Sequence, residues 1–256
     1  MTESLVRTVQ DYADANGMPL LWLDAVINAV FDDAVRLAAI DVRLPLGSTA
    51  LRHTNLRVAQ RLVKLDGSSP AAEPAVRAAR LASLANALSE NDYREPALQA
   101  AQEAVDLYRE LAAARPDVFK PDLAASLNNL ANRLSDLGHR EPALQAAQEA
   151  VDLRRELAAA RPDVFKPDLA RSLYVLALRT EEAAASAESG IAACQRAHES
   201  LTVLIPAFLL LPDAHGGLLQ PVLQDYLRLC KAIDTLPDAQ LLEPLLPFFS
   251  TTGSDT

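Results

Sequence analysis

The sequence predicts an all-α protein in which helix pairs stack into an open α-solenoid. Residues 94–127 and 140–173 are nearly identical and lie at a fixed offset of 46 residues. The differences between the two copies are Tyr108 against Arg154 and Ala125 against Arg171. A fixed period of this length is typical of one supersecondary unit stacked on itself. Half of the 256 residues are hydrophobic but only 5% are aromatic, which suits helix-on-helix packing of alanine and leucine better than a β-sandwich.

Each copy divides into two predicted helices. In the first, at 121–137, apolar residues recur at three- and four-residue steps until Gly138 ends the helix. The second, at 142–160, is predicted to end before Pro162, because the residue that precedes a proline is disfavoured in the α region. The segment PDVFKPD at 162–168 is then expected to be a loop that leads into the next first helix.

The 46-residue pattern continues on both sides of the central copies. Residues 80–92 align with 126–138, and 55–65 are predicted to form an earlier second helix. Residues 192–204 are predicted to form a later second helix, displaced by one residue. These flanking copies are degenerate, as terminal repeats are when one face meets water.

The apolar pattern of the copies resembles the tetratricopeptide repeat. Residues that carry the resemblance are Leu127, Leu130, Ala131, Leu134, Ala143, Ala147 and Ala150. The long period and the string SLNNLA at 126–131 are similar to the kinesin-light-chain type of that family. The resemblance spans roughly 55–204 and implies a right-handed superhelix of antiparallel helix pairs. It also implies that the first helices line a concave groove that binds a protein or peptide.

Three regions follow from this pattern. Residues 1–44 are predicted to be a cap with helices at 3–15 and 20–40, and 45–204 to be the repeat array. Residues 205–256 are predicted to be a helical cap, with helices at 218–232 and 237–249, that ends in a disordered tail. Residues 10–26 also have the spacing of a DNA-binding helix-turn-helix. That alternative is disfavoured, because Asp11, Asp14 and Asp24 carry the wrong charge to meet phosphates.

Charge and cysteine content argue against several classes of function. The formal net charge of −10 disfavours binding to the phosphates of a nucleic acid. Cys194 and Cys230 are too few for a disulfide framework and are expected to be reduced thiols. The acidic N-terminus lacks the pattern of a secretory signal, and the longest apolar run, 201–211, is too short to span a bilayer. We expect a cytoplasmic protein that binds no membrane; its excess of arginine over lysine is typical of a GC-rich bacterial genome.

The resemblance places two sets of polar residues in the groove. Its predicted members are Asn86, Glu90, Asn128, Asn129, Asn132, Asp136, Arg171, Tyr174 and Glu182. Side-chain amides donate and accept hydrogen bonds, so the asparagines are suited to pair with the main chain of a bound peptide. The alternative is that asparagine is merely tolerated on a solvated face. Tyr174 and Arg171 distinguish the third copy from the second, so we expect ligand discrimination there.

The acidic members form a ladder of one carboxylate per repeat. Stacked carboxylates repel each other, so Glu90, Asp136 and Glu182 favour either a cationic partner segment or a neighbouring arginine such as Arg133 or Arg179. Solvated surface acids are the alternative interpretation. The ladder therefore predicts either a protein or peptide partner with a basic segment or pairing with arginines of the chain itself.

Candidates for catalysis are few. Cys194 and His198 lie four residues apart on a predicted helix, which suits a thiolate–imidazole pair, although a buried thiol beside a surface histidine is the alternative. His215 begins a His-Gly-Gly string that we interpret as a turn between helices. No phosphate-binding glycine loop or metal-ligand pattern occurs, so no cofactor or metal is expected.

The leading hypothesis is a non-catalytic adaptor that binds a protein or peptide in the groove. The alternatives are a regulatory receptor that senses a peptide or small molecule, and an enzyme or enzyme subunit that uses the region of Cys194 or His215. The apolar run at 201–211 is expected to be buried under the C-terminal helices or to contact a second chain, so a homodimer is also considered.

Overall fold

The computed structural model describes residues 51–67, 73–183 and 186–249, with Ile27, Asp32, Asp33, Leu37 and Ala38 before them. Regular structure in this part of the chain is helical throughout, which confirms the all-α prediction for it. Apart from those five residues, the predicted cap at 1–44 lies outside the described residues. The alternative helix-turn-helix at 10–26 and the predicted tail after residue 249 lie outside them as well.

The chain divides into two compact units, and the first ends at Pro116. Its helices are α1 (Arg52–Gly67), α2 (Pro74–Glu90) and α3 (Arg94–Ala114). Helix α2 packs against both α1 and α3, as expected for stacked helix pairs. One apolar cluster of this unit contains Leu51, Val58 and Leu62 from α1 and the residue before it, together with Ile27 and Leu37.

The second unit begins at Asp117 and contains the remaining helices. They are α4 (Pro116–Asp136), α5 (Arg140–Ala160), α6 (Pro162–Ala183), α7 (Ala187–Leu210), α8 (Pro212–Ala232), α9 (Ala239–Leu242), a 3₁₀ turn (Glu243–Leu245) and α10 (Leu246–Phe249). Consecutive long helices from α5 to α8 pack pairwise. An ion pair of 2.6 Å between Lys120 Nζ and Glu156 Oε2 joins α4 to α5. The predicted pairing of consecutive helices is therefore confirmed within each unit.

The predicted loop at 162–168 is wrong, because these residues form the first turns of α6. Pro162 opens the helix, where its missing N–H would have no intrahelical partner. Pro167 then removes one hydrogen bond inside the helix. Phe165 is buried in this turn and its ring lies 4.9 Å from the Arg161 guanidinium, so both contacts offset part of that loss. Helix α4 begins with the same seven residues and also contains an internal proline.

First helices α2, α4 and α8 end in the same kind of turn. The second residue after each helix has a positive φ: 62° at Asp92, 78° at Gly138 and 53° at Asp234. In each case the following N–H donates to a carbonyl of the last helical turn, at 3.0, 2.9 and 2.9 Å respectively. Left-handed backbone of this kind favours glycine, with aspartate next. The predicted helix end at Gly138 is confirmed to within two residues.

The backbone conformation of the turn before each first helix recurs before α8, although the 46-residue sequence pattern ends earlier in the chain. The turn residues Arg115, Arg161 and Leu211 have φ near −140° and ψ of 76°, 80° and 74°. Each is followed by a Pro-Asp pair that opens the next first helix. Helix α7 continues across the predicted boundary at 204–205, and the period to α8 lengthens to 50 residues. Four inserted residues therefore hide this repeat from a fixed-offset comparison.

Candidate functional site

The predicted groove residues are distributed over both units. Asn86 and Glu90 lie half-buried on α2 in the first unit. The other seven lie on α4 and α6 in the second unit, which is where the structure brings polar residues of successive first helices together. Asn129 and Asn132 are half-buried there, while Arg171 and Asp136 are exposed.

Asn128 is the one predicted groove residue that is buried. Its Nδ2 donates a hydrogen bond of 2.7 Å to Ser172 Oγ, which joins α4 to α6. This amide stabilises the packing of two successive first helices and is not presented to a ligand. The repeat pattern assigned Asn128 to the groove. It did not reveal that Ser172, one repeat later, is the hydrogen-bond partner of this amide.

Two members of the acidic ladder, Asp136 and Glu182, are paired with arginines of their own helices. Arg133 Nη1 lies 3.4 Å from Asp136 Oδ2, and Arg179 Nη2 lies 2.9 Å from Glu182 Oε1. Ser135 Oγ also donates a hydrogen bond of 2.5 Å to Glu182 Oε2 and so links α4 to α6 a second time. The stacked carboxylates were expected to meet either a cationic partner or a neighbouring arginine of this chain. In the second unit they meet a neighbouring arginine.

Tyr174 is engaged by the next first helix. Its hydroxyl donates a hydrogen bond of 2.7 Å to Asp225 Oδ2 on α8. Arg228 bonds Asp225 at 3.0 Å and both oxygens of Glu181 at 2.6 and 2.7 Å. Burial, and then the hydrogen bond to Asp225, raise the pKa of Tyr174 well above its usual value. This cluster ties α6 to α8, and the 50-residue period explains why sequence comparison missed Asp225, Arg228 and Glu181.

A buried arginine on α5 is the second feature that the sequence did not reveal. Arg154 is 6% exposed, and its Nη1 lies 3.0 Å from Asp168 Oδ2 on α6. Burial lowers its pKa, although the charges of Asp168 and Asp122 oppose that change. Burial raises the pKa of Asp122, and Arg154 offsets part of the effect. Arg154 on α5 therefore attracts a carboxylate from each flanking first helix, Asp122 of α4 and Asp168 of α6.

The thiolate–imidazole pair considered as an alternative, Cys194 with His198, is not formed, because each member has another partner. The Cys194 Sγ lies 3.5 Å from the Sγ of Cys230 on α8. His198 Nε2 lies 3.1 Å from Asp238 Oδ2, and this contact lowers the pKa of the carboxyl group. Burial, and then the contact with Cys230, raise the pKa of Cys194 to about 12. The structure instead matches the alternative interpretation, in which a buried thiol lies near a half-exposed histidine.

The predicted turn at His215 is wrong. His215, Gly216 and Gly217 lie in the first two turns of α8, which opens at Pro212. The Pro-Asp start that α8 shares with α4 and α6 favours a helix, because proline suits the first helical position and aspartate the first turn. A helical backbone here does not provide the loop that an oxyanion site would need.

An apolar cavity of about 630 Å³ lies against α8 in the second unit. Its lining includes Phe208, Leu219, Leu223, Leu227, Leu245 and Phe248, with the amides of Gln220 and Gln224. The C-terminal helices cover part of α8 here, and Phe248 makes an edge contact with Phe208 at a centroid distance of 4.9 Å. This volume lies within the range of small-molecule sites.

Two classes of site are not found in the described part of the chain. Its histidines, cysteines and acids form no cluster of three or more that could hold a metal ion. Among the same residues, every helix is too short or too polar to cross a bilayer.

Comparison with known proteins bears on the repeat. No curated protein matches the chain. A solved structure from Podosopora anserina, provisionally described as a kinesin light chain with nearly identical TPR-like repeats, aligns with 16% identity and a TM-score of 0.44. The alignment covers 81% of this chain and 94% of that one. Residues 123–160, from α4 to the end of α5, match the family model described as a tetratricopeptide repeat. The predicted resemblance to the tetratricopeptide repeat is confirmed for these residues.

Proposed function

We propose that this protein is a non-catalytic adaptor that binds a protein or peptide segment across the first helices α4 and α6. Tetratricopeptide repeats generally mediate contacts between proteins, and such scaffolds are generally non-catalytic. A cytoplasmic location fits the proposal, because the chain carries both cysteines as free thiols.

The observation that carries the proposal is the fixed register of α4 and α6. The bonds from Asn128 to Ser172 and from Ser135 to Glu182 cross between these helices at two points. Side chains on the accessible side of both helices are therefore held in constant relative positions. Asn129 and Asn132 of α4 offer amides that are suited to the main chain of an extended or helical segment.

A basic stretch in the partner is a further part of the proposal. Asp136 is paired with Arg133 at 3.4 Å, which is a long contact, and its side chain is 44% exposed. Only the Asp136 side of the pair is open to solvent, since the Arg133 side chain is 15% exposed, and an ion pair with a solvent-exposed carboxylate is weak. A lysine or arginine of the partner is thus expected to compete with Arg133 for the Asp136 carboxylate.

The test uses peptides selected against the full chain from a random-sequence display library. Their affinity is measured by fluorescence anisotropy for the wild type and for the Asn129→Ala/Asn132→Ala double variant. We expect the double variant to lose roughly tenfold or more in affinity, since each lost amide removes a main-chain hydrogen bond. Asp136→Lys is expected to weaken basic peptides and to leave neutral peptides unchanged.

Gln145→Ala is the matched control, because Gln145 is an exposed amide on the second helix α5. Its affinity for the selected peptides is expected to equal that of the wild type. Equal affinity of wild type, groove variant and control, with native circular dichroism in all three, would rule out binding across α4 and α6.

A regulatory receptor is the second candidate, and the apolar cavity beside α8 favours it. The cavity of about 630 Å³ suits an apolar small molecule, such as a medium-chain fatty acid, with Gln220 and Gln224 available for its polar end. Thermal melting with a series of fatty acids is expected to show stabilisation that Leu223→Gln abolishes. A melting temperature that no fatty acid changes would contradict this candidate.

We also propose that the turn between α7 and α8 contacts a second copy of the chain. The run at 201–211 is buried at Leu201, Leu204, Ile205 and Phe208, but Leu209, Leu210 and Leu211 are 41, 80 and 61% exposed. Alanines and an arginine occupy the equivalent turns, so these leucines are specific to this end. Light scattering is expected to give a dimer mass for the wild type and a monomer mass for Leu210→Glu/Leu211→Glu. Leu236→Glu, at another exposed leucine, is the control.

A further inference from the structure

Two cysteines that are 36 residues apart in sequence meet where α7 packs on α8. The Sγ atoms of Cys194 and Cys230 are 3.5 Å apart, and both residues are buried, at 6 and 1% exposure. A disulfide needs an S–S distance near 2.05 Å, so the sulfurs must approach by about 1.5 Å, which is within reach of side-chain rotation and a small helix displacement.

Access to the pair comes from a cavity of about 400 Å³ that both thiols line. Gln195, His198 and Tyr226 also line it, and Ile191, which is nearly half exposed, lies on the same wall. The cavity brings a small reagent next to both cysteines, of which Cys194 is the more exposed, at 6% against 1%. Two thiols that share one accessible cavity differ from a core cysteine, which is inert because nothing reaches it.

We propose that Cys194 and Cys230 form a reversible dithiol site that closes to an intrachain disulfide with a small disulfide oxidant such as oxidised glutathione. In the first step, the thiolate of one cysteine attacks a sulfur of the oxidant, which gives a mixed disulfide and releases one small thiolate. In the second step, the other cysteine attacks the protein sulfur of the mixed disulfide and releases the second small thiol. Two electrons pass to the oxidant, and the two cysteine protons end on the released thiols.

The surroundings favour the reduced form under ordinary conditions. Burial, and then the contact with Cys230, raise the pKa of Cys194 to about 12, so the attacking thiolate is scarce at neutral pH. Closure is therefore expected to be slow and to require a sustained excess of oxidant. Once formed, the bond joins the third turn of α7 to the last turn of α8 and restricts the separation of these helices.

The experiment exposes the full chain to excess oxidised glutathione and follows the intact mass and the proteolytic peptides. We expect the wild type to lose two hydrogens without retaining glutathione, and one cross-linked peptide pair to contain Cys194 and Cys230. The Cys194→Ser and Cys230→Ser variants lack the second thiol, so each is expected to retain one glutathione as a mixed disulfide. Closure is expected to raise the melting temperature of the wild type by about 5 °C, and dithiothreitol is expected to reverse the rise.

A second measurement does not depend on either variant folding. Phenylarsine oxide bridges two neighbouring thiols, so the wild type is expected to bind one equivalent per chain and none after oxidation. Mixed disulfides retained on both cysteines of the wild type, disulfide-linked dimers, or an absence of arsenical binding would each overturn the proposal and leave the pair as a core contact.

Discussion

Helices α3 and α5 have the same sequence at every position but one, and that position is buried in both. Tyr108 on α3 and Arg154 on α5 are each 6% exposed. A tyrosine at such a site contributes apolar area and needs a partner only for its hydroxyl. An arginine carries a charge that is costly to bury unless carboxylates or other acceptors surround it.

The neighbouring first helices explain how the arginine is accommodated. Asp168 pairs with Arg154 at 3.0 Å, and Asp122 acts on it from the other side. One copy earlier, the residue at the position of Asp122 is Val76. An arginine at this buried position of the duplicated helix therefore needs carboxylates from the neighbouring first helices. For this reason the near-identical repeats are not interchangeable.

The largest effect is expected from Tyr108→Arg, which places a guanidinium in the copy that has Val76. We expect the free energy of unfolding to fall by about 3 kcal/mol or more, because the buried charge has Val76 at the position that Asp122 holds relative to Arg154. Urea denaturation followed by circular dichroism measures the change. Tyr108→Phe is the control and is expected to cost under about 1 kcal/mol. Equal losses of unfolding free energy for both variants would show that the charge of the arginine is not the cause.

A smaller loss, about 2 kcal/mol, is expected for Asp168→Asn. The substitution leaves Arg154 buried without its nearest carboxylate, but Asp168 is 45% exposed and Asp122 still acts on the guanidinium. Asp152→Asn on α5 is the control, since its contact with Arg155 is long, at 3.9 Å, and exposed. Losses of the same size in both variants would show that the buried pair has no special role.

Tyr174→Phe tests the bond by which α6 contacts α8. We expect a loss of about 1 kcal/mol at pH 7, because the variant leaves Asp225 without that donor. Burial raises the pKa of Tyr174 in the folded protein, so its stabilising effect is complete below pH 10 and is lost as pH rises further. The difference between wild type and variant is therefore expected to shrink above pH 10. The exposed Tyr93→Phe is the control and is expected to show no such convergence.

The smallest effect is expected for Arg154→Tyr, which makes α5 identical to α3. Replacing a buried ion pair by an apolar group is often neutral or stabilising, so we expect a change of under about 1 kcal/mol, towards greater stability. In the double variant Arg154→Tyr/Asp168→Asn, the cost of the second substitution is expected to disappear. A cost of Asp168→Asn that persists without the arginine would show that Asp168 acts through another contact.

Much of the fold was predictable from local patterns, and most of the contacts at the candidate site were not. The stripe of apolar residues and Gly138 located α4 and its end, and Pro162 located the end of α5. The helical start at Pro162 was missed, because local rules for proline do not include the burial of Phe165. The α8 repeat was missed because four extra residues shift its period.

The sequence by itself determined the all-α class and the helix pairs, because these follow from spacing and turn residues within about twenty positions. It also determined the repeat, because two nearly identical copies lie 46 residues apart. Tertiary structure alone decided which polar residues remain available. Asn128 and Tyr174 each find a partner one repeat away, at Ser172 and Asp225, and Arg154 finds Asp168 on the next helix. Such pairs depend on how neighbouring helices are set against each other, and a difference of one ångström in that packing decides between a hydrogen bond and a free side chain.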